Sequence, residues 1–201
     1  MRRRLTAVLT AVLTLTAAAP AAAQRFERGL SAASDATIRV YNLSGSTTIV
    51  GWDRDSVALV AELEPGAGRV YVGGHEAIKL GIDPPTAGGI AGAARLEVRV
   101  PRGSVVWVKA ADASIEVDGV QGGLDLYSVT GNVRVRGAPS TVRAESMEGA
   151  ISIDARTPWA RAKTASGSID LAGDISDLAA TTVSGTVRVA ASRQAGPGSR
   201  A

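Results

Sequence analysis

The chain has 201 residues, 45% of them hydrophobic but only 3% aromatic, with 22 Lys plus Arg against 19 Asp plus Glu, a single His and no Cys. The missing Cys excludes thiol chemistry and disulfide staples, and one His excludes a multi-histidine metal site. The length suits one domain, whose core must be built from Val, Ile, Leu and Ala.

Residues 1–23, MRRRLTAVLTAVLTLTAAAPAAA, set three Arg before an apolar stretch that ends in small residues. This reads as a secretory signal peptide cut before Gln24. Its apolar part is too short and too rich in Ala and Thr to span a bilayer, and no other stretch approaches the length, so no integral membrane span is expected. Removing Arg2, Arg3 and Arg4 takes 22 basic residues to 19, level with the 19 acidic ones. A balanced chain does not attract polyphosphate, so nucleic acid is not an expected partner. The protein is expected to be exported, to the periplasm or the cell surface.

Residues 24–190 read as a single domain, less regular over 24–101 and regular over 102–190. The segment TIRVYNLSGSTTIVGWD holds a first repeat around Gly45, with Ile38, Val40, Leu43 and Ile49 at apolar positions and Thr47 as the one departure. In GWDRDS, Asp53 and Asp55 alternate like calcium ligands but lack the later Gly and Glu of an EF-hand loop, so a polar turn is expected. The runs SVALVAEL, RVYVG, AIKLGI and RLEVRV read as strands, interrupted by a loop at DPPTAGGIAGAA. His75, in VGGHEAIKL, reads as a surface or turn residue.

From Val105 onward the chain repeats every 18 residues. Gly131, Gly149, Gly167 and Gly185 mark the period, with Ala113 one step earlier. Counted from this mark, five columns are apolar throughout. Position −7 holds Val106, Leu124, Val142, Ala160 and Leu178, and −5 holds Val108, Leu126, Ala144, Ala162 and Ala180. Position −2 holds Ala111, Val129, Met147, Ala165 and Val183. Positions +2 and +4 hold Ile115, Val133, Ile151, Ile169 and Val187, then Val117, Val135, Ile153, Leu171 and Val189.

Spacing by two marks strands, and a fixed period with one inward set per repeat marks a solenoid. The expected fold is all-β: a parallel β-solenoid with 18-residue coils, right-handed by default, preceded by less regular strands. Five coils stacked at about 4.8 Å would make a rod roughly 24 Å long. Whether each coil has two faces or three is left open by the pattern. The marker glycines are expected to answer a lack of room rather than a left-handed backbone, since Ala113 replaces one of them. Residues 191–201, ending SRQAGPGSRA, are expected to form a disordered tail.

The segments NLSGSTTIVGWDRD, LEVRVPRGSVVWVKAADASIEVDGV and SVTGNVRV resemble the bacterial putative-adhesin family, domain of unknown function 4097, over residues 37–190. The resemblance implies an exported domain of repeated β-strands. It implies no catalytic residues.

No catalytic, metal or cofactor site emerges from the residues. Glu116 and Asp118 face Arg134 and Arg136 in adjacent coils, which suits register rather than acid–base work. A non-enzymatic, adhesin-like interaction module is therefore the expectation; a carbohydrate-active enzyme on the same scaffold and a self-assembling envelope element are the alternatives. One outward face, at −6 and −4, gathers Trp107, Tyr127, Arg143, Arg161 and Lys163, the usual equipment for holding an envelope glycan or protein. Joint substitution of Trp107 and Arg161 is expected to abolish retention on isolated envelopes. The last coil leaves an open edge, which suggests homo-association there. The coil Ala160 to Asp177, thin with Ala at three core columns, is expected to open first.

Overall fold

A computed structural model describes residues 23–74, 77–85 and 92–192. The proposed signal peptide up to residue 22, His75, six residues of the loop before Ala94, and 193–201 of the tail lie outside the described residues. The first part supplies β1 (Gln24–Ser31), β2 (Thr37–Trp52), β3 (Ser56–Leu63), β4 (Arg69–Gly73), β5 (Ile78–Asp83) and β6 (Ala94–Pro101). The repeats supply β7 (Val105–Asp118), β8 (Gly123–Ser128), β9 (Val133–Gly137), β10 (Thr141–Ser146), β11 (Ile151–Ala155), β12 (Thr157–Thr164), β13 (Ile169–Thr182) and β14 (Val187–Ser192). The fold is all-β, and no helix occurs among the described residues.

Two ladders carry the pairing. One runs β5, β2, β7, β8, β10, β12, β13 and the other β6, β2, β7, β9, β11, β13, β14. The long strands β2, β7 and β13 belong to both, each bending from one ladder into the other. From β7 onward every pair is parallel and offset by 18 residues: Leu124 sits against Val142, Val142 against Ala160, and Val133 against Ile151. The segment around Gly45 stacks directly on β7, with Gly45 against Ala113 and Ile38 against Val106. The 52 residues from 53 to 104 depart and return in between, and β5 and β6 line the other side of β2.

The expected parallel solenoid is met in part: the sheet is not parallel throughout, because the less regular strands before Val105 add antiparallel pairs. β3 runs antiparallel to both β1 and β6, and β4 antiparallel to β5. The reason is local. A strand that returns through a short connection must reverse, because parallel pairing needs a crossover. The bend at residues 53–55 reverses β3 relative to β2, and β6 lies parallel to β2.

The core lies between the ladders. The −7 and −5 columns are buried from Val106 and Val108 to Ala160 and Ala162 and half-buried at Leu178 and Ala180, and the +2 and +4 columns are buried from Ile115 and Val117 to Ile169 and Leu171. The −2 column is not core: Leu43, Val129, Met147 and Val183 are exposed, Met147 at 50% and Val183 at 85%. Strand alternation explains the correction. After −7 and −5 the next inward position is −3, and the residue at −2 already lies on the outer side of the bend.

Position −3 is filled by Asn42, Ala110, Ser128, Ser146 and Thr164, all buried. Each hydroxyl links two levels. Ser146 Oγ accepts the Gly149 N–H at 2.9 Å and donates to the Gly131 carbonyl of the preceding repeat at 3.3 Å. Ser128 serves Gly131 and the Ala113 carbonyl in the same way, at 3.0 and 3.1 Å, and Thr164 serves Gly167 and the Gly149 carbonyl at 3.1 and 3.2 Å. In the irregular repeat Asn42 Nδ2 donates to the Ser46 and Ala94 carbonyls, at 3.1 and 3.0 Å, and approaches Thr47 Oγ1 at 3.3 Å. These hydroxyls and the Asn42 Nδ2 are tolerated in the interior because they are bonded, whereas Asn42 Oδ1 has no partner among the described residues.

The marker glycines fit the steric expectation. None of Gly131, Gly149, Gly167 and Gly185 has a positive φ, and a Cβ on any of them would overlap the backbone carbonyl of the residue beneath, Ala113, Gly131, Gly149 and Gly167 in turn. Ala113 stacks on Gly45, whose φ of +108° sets it apart from the other four.

Candidate functional site

Outward residues of the first ladder form rows across the strands. One row reads Arg39, Trp107, Asp125, Arg143, Arg161, Ala179, and the next Tyr41, Lys109, Tyr127, Glu145, Lys163, Thr181. The five residues singled out from the sequence therefore share one face. Among the described residues, β4 and β5 extend the ladder beyond β2 instead of folding over that face.

The row structure builds a groove of about 590 Å³ lined by Arg39, Trp107, Gly123, Asp125, Arg143 and Trp159, among others. Trp107 stands toward one end, next to Arg39, held edge-on by Tyr41 with ring centroids 5.4 Å apart, and Lys109 Nζ lies 4.7 Å from its ring centroid. Trp159 stands at the other end, three strands away, or roughly 15 Å at the ladder spacing. Arg143 lines the groove and its Nε bonds Glu145 Oε1 at 3.0 Å. Gly123 keeps the floor low, since the nearest side chain to a Cβ there would be Thr141.

Arg161 is less available. Its two terminal nitrogens bond both carboxylate oxygens of Asp177 at 3.1 and 3.2 Å, and its guanidinium lies 4.7 Å from the Trp159 ring centroid. The bond from Arg161 holds the Asp177 carboxyl below its ordinary pKa. Arg161 and Lys163 line a smaller recess of about 350 Å³ beside Trp159, and neither lines the large groove. Tyr127 faces a third recess of about 370 Å³ with Tyr41, Tyr71 and Lys109. There Tyr71 comes within 6.4 Å of Tyr41 across Gly81, which has no side chain to separate them. Burial, then the nearby Tyr41 and Asp83, pushes the Tyr71 hydroxyl well up, so it stays neutral.

Sequence reasoning missed Trp159, Arg39, Tyr41 and Tyr71. The register held signals for three of them: Arg39 and Tyr41 lie six and four before Gly45, and Trp159 lies eight before Gly167. Tyr71 carried none, because the antiparallel pairing that brings it in has no period.

Glu116 bonds Arg136 at 3.1 Å and Asp170 faces Arg188 at 3.5 Å, both across adjacent repeats. Asp53 is bonded by Arg102 at 2.6 Å in the turn after β2. No group of three or more His, Cys, Asp or Glu with metal-holding geometry occurs among the described residues.

No family model matches the chain, domain of unknown function 4097 included, and no curated protein matches it. Among solved structures it is similar to a "putative cell adhesion protein" from Clostridium sporogenes, at TM-score 0.44 and 7% identity, covering 85% of this chain and 100% of that one. It is also similar to a "putative adhesin" from Bacteroides fragilis, at TM-score 0.41 and 12% identity over 84% and 97% of the two chains. A "putative adhesin" from Parabacteroides merdae gives TM-score 0.35 and 12% identity over 85% and 97%.

Proposed function

We propose that the chain is an exported β-solenoid of 18-residue repeats, acting as a non-catalytic, adhesin-like module of the cell surface or periplasm that holds an envelope glycan. The observation that carries this reading is the groove between Trp107 and Trp159. An indole offers an apolar plate to the C–H face of a sugar ring, and the groups between the two plates, Asp125 and Arg143, with Arg39 just beyond Trp107, offer donors and acceptors to its hydroxyls. Among the described residues Asp125 is the one carboxylate in the lining, whereas hydrolysis of a glycosidic bond uses two. This favours holding over cleaving.

The test is retention of the purified chain on isolated cell envelopes. Trp107→Ala with Trp159→Ala should abolish retention, and Gly123→Val, which fills the floor and spares both indoles, should do the same. Retention should survive protease treatment of the envelopes. Unchanged retention by the double variant would discard the groove, and loss after protease would replace the glycan with a protein partner.

A further inference from the structure

The two ends of the stack are finished differently. At the β1 end the second ladder passes through β6 and β3 to β1, which carries Arg25, Glu27 and Arg28 along the outermost strand, with Arg25 bonded to Glu62 of β3 at 3.1 Å. A charged, reversed edge strand resists further pairing.

The opposite end has no such protection. β14 and the second half of β13 close the two ladders, and neither has an outer neighbour among the described residues. The stretches LAATTV (178–183) and VRVA (187–190) hold one charge between them, Arg188, which is drawn back toward Asp170 of the preceding repeat. Val187 and Val189 are 40% and 54% exposed, although their equivalents Ile169 and Leu171 are buried. The edge thus presents inward-column side chains and ladder hydrogen-bonding groups together, without Pro or an inward charge to deter a partner.

We propose that this end docks on the same end of a second copy across a two-fold axis. β14 then pairs antiparallel with β14, and the second half of β13 with its counterpart, so both ladders continue through the junction. The like-with-like choice follows from charge and symmetry. A head-to-tail contact would set the uncharged edge against the charged β1, while a two-fold normal to the ladders brings equivalent edges together. An axis through Val189 places Arg188 opposite Ala190; an axis through Arg188 would set two guanidiniums directly opposite and is disfavoured. Strands of six residues and two facing ladders give a contact on the order of 400 Å² per copy, small for a specific interface, so the dimer is reversible.

Sedimentation velocity of the full exported chain, from micromolar to millimolar concentration, should show mass rising from one copy to two and no further. Val189→Lys should hold the chain at one copy, and so should Val183→Glu, a side chain exposed enough that the substitution leaves the single copy folded. Because the chain has no Cys, Val189→Cys should give a covalent dimer under mild oxidation, while Val50→Cys, exposed on β2, should not. A strict monomer at millimolar concentration would overturn the proposal and leave residues 193–201 or a foreign strand as the cover. An open-ended polymer, or a dimer indifferent to Val189→Lys, would overturn it equally.

Discussion

Ser146 and Gly149 act as one unit. The glycine leaves room for the carbonyl beneath it, and the serine hydroxyl bridges the glycine N–H to that carbonyl. Gly149→Ala should destabilise by about 1–3 kcal/mol through overpacking, and Ser146→Ala by a similar amount, about 1–3 kcal/mol, through an unsatisfied buried donor and acceptor. Ser146→Thr should be mild, since Thr164 does the same work one repeat later. Urea unfolding of the three variants checks the order; a Gly149→Ala variant as stable as the parent would remove the steric account. The glycine was legible in the sequence because its column is invariant but for Ala113. The hydroxyl column was not, because a polar residue argues against the core until its hydrogen bonds are seen, and apolar Val129 and Met147 beside it drew attention outward.

Asp177 gives a pH-dependent feature at the same scale. Its pKa is lowered in the fold, so the bond to Arg161 is present above the ordinary aspartate range and is lost only as pH falls through the depressed value. An NMR titration of the Asp177 carboxyl should find its midpoint below the 3.8 of an ordinary aspartate. A midpoint at or above that value would mean that Arg161 is free to turn toward a ligand.

Among elements, the pairings of the repeats were readable and those of the irregular strands were not. β8 to β14 repeat their own pattern, and stacking then follows from the need to cover each apolar column with the next. β3 and β4 announce themselves as strands through SVALVAEL and RVYVG, but their partners depend on the path of the chain, which has no period there. Burial also revises which element is weakest. Ala160 and Ala162 are fully covered by a repeat on each side, whereas β14 is covered on one side only. In dilute solution, amide exchange should therefore be fastest in β14 and the second half of β13 and slowest in β9 and β11. Slower exchange at Val187 than at Val133 would contradict this ordering.

At the scale of the whole molecule, composition limited the chemistry while the period placed the face. With no Cys, one His and carboxylates engaged by Arg136, Arg102 and Arg161, the residues that stand out are aromatics on a rigid outer row. Trp107 was visible from the register as part of such a face. Its partner plate Trp159 also had a place in the register, eight before Gly167, but in the neighbouring row, and a groove is a property of the rows that border it as well as the row that names it.

Across the ladder, the gap between those two indoles is counted in whole strands, one per repeat. Because Leu124 and Val142 already occupy equivalent places, excising residues 124–141 would join Gly123 to Val142 without changing which way any side chain points. The plates would then stand one strand closer, so the fold behaves as a ruler whose graduation is a single repeat, and the spacing of the plates can be reset by inserting or removing such units while their chemistry stays the same.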